Sequence, residues 1–357
     1  MQAAILWEGG RPITVAEVDE PPLGPHEARV QVEASGVCHS DLTTSRLPTP
    51  APAIMGHEGA GTVVEVGRDV TLVRVGDRVI ASYVPSCGGC FYCVRGESTQ
   101  CVRTGALMAT RRGTVNGEGV LAKGGLGTWA ERMTVSELQL VAVETSLPTD
   151  QLALVGCGVT TGAGAALWSA KVQPGATVTV YGCGGVGMFT IQGARIAGAA
   201  RIFVVDPLES KRAAAAAVGA TDLIDPADGD PVEQIRALTE GRGTDYAFEV
   251  VGSPTTILQA YNTARPRGMA VIVGMAAPDA TVTLPAGSMF HAERRLVGSF
   301  CGSAVATRDM PTLVRLAEAG KLDIGAAVSR HIKLGETANA LAALEAGEVF
   351  RSIIVPN

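Results

Sequence analysis

The chain has 357 residues, 46% of them hydrophobic and 18% charged, with a formal net charge of −6. That length suits about two domains with real cores rather than a small disulfide-stapled scaffold. The mildly acidic balance argues against a nucleic-acid binder or an anionic-membrane binder.

The opening stretch, MQAAILWEGGRPITVAEVDE, has no basic segment followed by a long apolar run, so it does not read as a signal peptide. A cytoplasmic protein with reduced thiols is expected. Cys38 follows, in GVCHSDL, with the hydroxyl of Ser40 and the carboxylate of Asp41 close behind. His57 stands in GHEGAG beside Glu58. Cys157 stands in GCGVTTGAGA. Two cysteines and a histidine leave one of four tetrahedral positions free, the pattern of a catalytic zinc site. Taken singly, Cys157 reads as a small core residue and His57 as a hydrogen-bonded structural histidine; the polar company of Cys38 and His57 favours the metal.

SCGGCFYCVRGESTQC spans Ser86 to Cys101 and holds four of the chain's 8 cysteines. Cys87, Cys90, Cys93 and Cys101 are spaced C-x2-C-x2-C-x7-C. Short x2 loops let two thiolates reach one ion, and a later cysteine closes a tetrahedral site. An iron–sulfur cluster with this beginning takes its next cysteine after three residues and before a proline; here the gap is seven and Val102 follows. Four thiolates leave no open position, so this zinc is structural. Arg103–Gly127 lacks periodicity and is rich in glycine and arginine, which predicts a long surface loop. Arg103, Arg111 and Arg112 within it are either solvated or contacts for an anionic thiol adduct.

Gln151–Arg195 is apolar enough to suggest two membrane helices. Its glycines, the Pro174-Gly175 turn and the short β-branched run after it instead predict buried α/β structure, with no membrane span. The strand Thr177–Tyr181 runs into Gly182-x-Gly184-x-x-Gly187, with Gly185 and Val186 between the last two glycines. A helix and a second strand ending at Asp206 follow. In that context the glycines form a dinucleotide fingerprint, and Asp206 would accept hydrogen bonds from the adenosine ribose, favouring NAD over NADP. Further strand–helix units, RIFVVD, TDLID, TDYAFEVVG and GMAVIVGM, extend a doubly wound parallel α/β sheet.

These motifs, with GHEGAGTVVEVGRDVTLVRVGDRV and the ending GEVFRSIIV, make the chain resemble the zinc-dependent alcohol dehydrogenases of the medium-chain dehydrogenase/reductase superfamily. The resemblance is to the branch of liver-type and glutathione- or mycothiol-linked formaldehyde dehydrogenases. It implies a GroES-like, β-rich catalytic domain at 1–158 and 301–357 and a Rossmann domain at 159–300, with the cofactor lying in the cleft between them. It implies two zinc ions and NAD, with a small-molecule alcohol or aldehyde as substrate. Ser40 would open a proton relay, Asp41 would orient His57, and Glu58 would lie behind the metal. Thr161 and Val186 would pack on the nicotinamide, Lys211 would hold the adenosine ribose, and His39 and Arg351 would meet the pyrophosphate. Tyr83 and Trp129 would wall the substrate pocket. The segments Ala280–Pro285 and Arg294–Phe300 would be strands pairing across a twofold axis in a homodimer or homotetramer.

Two positions depart from the liver-type pattern: His39 replaces an arginine, and Thr43 replaces the histidine that ends the relay. Threonine passes a proton but cannot hold one, so oxidation should favour alkaline conditions. The expected activity is NAD-dependent oxidation of medium or bulky primary alcohols. The alternatives are a thiol-adduct formaldehyde dehydrogenase and a non-catalytic zinc- and NAD-binding protein.

Overall fold

The computed structural model describes residues 1–47, 52–108 and 111–356, with the backbone alone at residue 111. The chain divides into two units, one of residues 1–158, 304–320 and 324–357, the other of residues 159–303 and 321–323.

The first unit is β-rich. Its larger sheet runs in the order Leu140–Ala142, Arg78–Ala81, Glu58–Val66, Glu27–Gly36, Arg351–Ile354, Val328–Ile332, with Arg132–Ser136 also paired to Glu27–Gly36. Glu27–Gly36 alternates buried and half-buried residues along most of its length, as a strand with one face on the core requires. The core beneath it gathers Val30, Val32, Val63, Val79, Met133 and Val135. Register fixes the site: Gly36 lies opposite Glu58 on one side and Ile353 on the other. The strand ends at or beside which Cys38, His57, Glu58 and Arg351 stand therefore converge although most are far apart in sequence.

The smaller sheet holds Thr14–Glu17, Gln2–Leu6, Ala53–Ile54, Glu118–Ala122 and Arg111–Val115. Its last two strands correct the expectation of a long surface loop over Arg103–Gly127. They form a hairpin closed by Asn116 and Gly117, both at positive φ, as a two-residue type I′ turn requires.

The second unit is a six-stranded, all-parallel sheet in the order Asp222–Ile224, Arg201–Val205, Thr177–Tyr181, Thr244–Glu249, Ala264–Ile272, Arg295–Gly298. Numbered by sequence that is 3-2-1-4-5-6, the Rossmann order. Arg295–Gly298 is the edge strand. Residues 280–285, expected as a second strand there, form no strand among the described residues.

One helical segment, Thr149–Ser169, has the length and hydropathy of a membrane span, but 78% of its apolar window is buried within the protein. It is not uniform. A π-helical turn at Val155–Val159 carries Cys157, and the boundary between the units falls just after Gly158. π turns push one residue out of helical register and recur at functional positions.

Candidate active site and metal centres

The active-site cluster is built on a helix cap. Cys38 precedes the helix His39–Arg46, and Asp41 at its third position returns a carboxylate oxygen, Oδ2, to accept the Cys38 backbone N–H at 2.9 Å. This capping-box geometry aims the carboxylate. Its other oxygen, Oδ1, lies 3.2 Å from His57 Nδ1, and Asp41 is fully buried. The imidazole thus donates from Nδ1, so that in the neutral ring Nε2, 3.1 Å from Ser40 Oγ, carries the lone pair. Tyr83 sets its ring edge-on to His57, with centroids 5.3 Å apart.

Donor atoms of Cys38, His57, Glu58 and Cys157 all lie within 4.8 Å of one another, and all four residues are buried. A hydrogen bond from Cys157, aided by Arg351 and His57, holds the Cys38 thiol well below its ordinary value despite burial. Burial pushes Glu58 up to about 7, with Arg351 opposing. Burial lowers His57, but Asp41 more than offsets it and raises the imidazole to about 9. Two soft thiolates and one imidazole are a zinc donor set.

The second cluster is Cys87, Cys90, Cys93 and Cys101, again with all four sulfurs within 4.8 Å. Cys90 Sγ lies 3.5 Å and Cys87 Sγ 4.0 Å from Cys93 Sγ. Four sulfurs at ~2.3 Å from one tetrahedral ion stand about 3.8 Å apart, so the spacing fits zinc. Backbone N–H groups of Cys87 and Arg103 donate to Cys101 Sγ. Those of Cys93 and Val102 hold the Cys90 thiol below its ordinary value. Thiolates need such donors.

In the second unit Gly182 ends its strand at positive φ, and Gly184 caps the helix Gly185–Ile196. A Cβ on Gly187 would lie 2.0 Å from the Gly182 carbonyl oxygen, whereas one on Gly184 would meet nothing within 4 Å. The first absence lets helix and strand touch; the second leaves open space above the turn, where a pyrophosphate fits. Asp206 accepts from the backbone N–H groups of Cys183 and Leu208, at 2.8 and 2.9 Å, and so helps shape the turn itself. Burial raises the Cys183 thiol, which stays protonated. Thr161 and Val186 are half-buried and Lys211 is buried.

Three expectations need correction. Trp129 is fully buried, its indole N–H donates to the Gly36 carbonyl, and it belongs to a hydrophobic core cluster, so it presents no surface to a substrate. Arg112 is 4% exposed and paired with Glu27, which removes it from any anion contact; the side chain of Arg111 lies outside the described residues, and Arg103 is exposed. Arg351, expected at the pyrophosphate, is 1% exposed and turned onto the cluster. It donates to both Glu58 oxygens, to Cys38 Sγ and to the Phe350 carbonyl. Four of a guanidinium's five N–H groups are thereby engaged, and only one remains for the expected pyrophosphate contact. His39 is exposed, and Thr43 Oγ1 donates to its carbonyl oxygen. Lys123, which carries no motif, also enters the site: its ammonium lies 2.9 Å from Asp41 Oδ1.

Two family models match the chain. Residues 24–145 match the alcohol dehydrogenase GroES-like domain and residues 185–319 the zinc-binding dehydrogenase domain. Alcohol dehydrogenase 6 of Peromyscus maniculatus is 35% identical, covering 99% of this chain and 97% of its own length. This chain belongs to the zinc-dependent alcohol dehydrogenase family of the medium-chain superfamily. Within that family, the S-(hydroxymethyl)glutathione dehydrogenase of a Synechocystis strain is 34% identical over 99% of each chain. The crystal structure of benzyl alcohol dehydrogenase from Acinetobacter calcoaceticus superposes with a TM-score of 0.92 at 29% identity, covering 100% of this dehydrogenase and 99% of that chain.

Proposed function

We propose that the dehydrogenase oxidises primary alcohols, bulky or aromatic ones included, with NAD as hydride acceptor, and reduces the matching aldehydes. The convergence of Cys38, His57, Glu58 and Cys157 carries this proposal. Cys38, His57 and Cys157 would hold one zinc ion and the four clustered cysteines a second. When bound at the first site, zinc supplies Lewis acidity toward the alcohol or aldehyde oxygen.

The chain's own groups do the rest. Asp41 keeps the proton on Nδ1 of His57, so that Nε2 would be free to ligate zinc. Ser40 Oγ, 3.1 Å from His57 Nε2, would accept the alcohol's hydroxyl proton while passing its own proton on toward solvent, and NAD, when bound, would supply the hydride acceptor. The helix Gly185–Ile196 offers its N-terminus to the pyrophosphate. Asp206, with lone pairs beyond its two backbone partners, accepts from the adenosine ribose and repels a 2′-phosphate. Tyr83, half-buried beside His57, forms an aromatic wall.

All eight cysteines are free thiols, which supports a reducing, cytoplasmic setting. The edge strand Arg295–Gly298, with Leu296 and the nearby Phe300 exposed, supports pairing of two copies as at least a dimer. A thiol-adduct formaldehyde dehydrogenase is the second candidate, favoured by the glutathione-linked relative; the burial of Arg112 takes away one of its anion contacts. NAD and NADP reduction across aliphatic and benzylic alcohols, with and without glutathione or mycothiol, decides between them. An absolute thiol requirement selects the second candidate, and no reduction of either cofactor by any alcohol ends the first.

A further inference from the structure

Lys123 has no place in the mechanism above, yet it is drawn onto the site. Its ammonium is sealed from solvent and has no hydrogen-bond partner among the described residues. Its one counter-charge there is Asp41 Oδ1, at 2.9 Å, an ion pair rather than an aligned hydrogen bond. Burying a cation with so few partners is costly, so a lysine held this way acts on the group it faces. The loop that delivers it is shaped for the purpose. Lys123 begins a 3-10 turn over Lys123–Gly125, with Gly124 and Gly125 at positive φ. A Cβ at Gly124 would stand 3.2 Å from Tyr83 Cβ and 3.6 Å from His57 Cβ. Buried Gln139 pins the turn by donating to the Gly124 carbonyl at 3.1 Å.

Asp41 is thereby held at three points: the Cys38 N–H on Oδ2, and His57 Nδ1 and Lys123 on Oδ1. The charges agree. Glu58 and Arg351 cancel as a pair. The two thiolates and Asp41, set against Lys123, leave a net charge of minus two, which a divalent ion neutralises. Without the lysine, a fully buried carboxylate would keep one uncompensated charge, and Oδ1 would be held by the imidazole alone.

We propose that Lys123 is a positioning residue for the active-site metal, acting through Asp41 to fix the ligand face of His57. This rests on the assignment of Cys38, His57 and Cys157 as zinc ligands. The test uses the zinc-loaded protein and follows release of each ion to a colorimetric chelator. Lys123→Met should release one of two ions about tenfold faster, the lower end for changes one layer out from a ligand, and the other at the wild-type rate. Lys123→Arg, which keeps the charge, should stay within about threefold of wild type. Asp41→Asn combined with Lys123→Met should release no faster than Asp41→Asn alone, because the lysine acts only through that carboxylate. Lys123→Gln carries the same test should the methionine variant not fold. Wild-type release from Lys123→Met or Lys123→Gln, equal release from Lys123→Arg and Lys123→Met with equal loss of Tm, or an additive double variant would each overturn the proposal. Cys157→Ala separates the two levels: if it releases no ion, the ligand assignment fails; if it does and Lys123→Met does not, only the lysine's role fails.

Discussion

The two cysteine-bearing centres are built in opposite ways. The four-cysteine site comes from one stretch of chain, its thiols half-exposed at three of four positions and steadied by backbone N–H groups. The active site draws Cys38, the adjacent His57 and Glu58, Cys157 and Arg351 from four separate parts of the chain, all of them buried and tied by side-chain charges. A local site needs only its own loop to be right. A distributed site needs the whole sheet register to be right, and it adds ion pairs that no spacing rule encodes.

Substitutions at the two centres should therefore fail differently. Cys157→Ala should abolish turnover and release one ion while leaving NAD binding in place; steady-state kinetics, metal analysis and cofactor titration check it. Cys90→Ala should release the other ion and destabilise the first unit by about 4 kcal/mol or more, the scale of a lost structural metal, read by chemical denaturation. A single zinc in the folded, active wild type would sink the assignment of unequal roles. Glu58→Gln leaves Arg351 charged and buried without its carboxylate, so it should cost roughly 3–5 kcal/mol, measured the same way. No single side chain outside the four ligands should matter as much at the cysteine loop.

The smallest effect concerns proton exit. Thr43 lies exposed on the helix that begins after Cys38 and offers no base to receive a proton. Alcohol oxidation should therefore rise toward alkaline pH. Thr43→His should speed hydride transfer by roughly tenfold or less below about pH 8, with the gain fading above it, as single-turnover measurements would show. A flat wild-type profile from about pH 6 to about pH 9, unchanged by the substitution, would mean that proton exit does not limit the rate.

The sequence made some of this visible and hid the rest for identifiable reasons. C-x2-C-x2-C-x7-C and G-x-G-x-x-G are local, and spacing is enough to read them. The Rossmann strands followed from short apolar runs between helical segments. Lys123 and the Glu58–Arg351 pair were invisible because they depend on strands meeting across long separations, 293 positions in the second case. Trp129 was misplaced because an aromatic residue near a pocket in sequence can face the core in space. Asn116-Gly117 signals the hairpin, but the glycine- and arginine-rich residues around it lack the alternation that marks strands. Residues 280–285 read as a strand, but a strand needs a neighbour, and one chain supplies none.

Gly36 has no chemistry of its own, yet a methyl group there would sit 2.2 Å from Glu58 Oε2 and 2.9 Å from a Leu154 methyl. The position is silent only while it stays empty. Genetically it belongs to the active site: Gly36→Ala should behave like damage to Glu58, and a shorter residue at position 58 should restore tolerance at position 36. The two positions form an epistatic couple, in which a vacancy on one strand is the complement of a charge on the next.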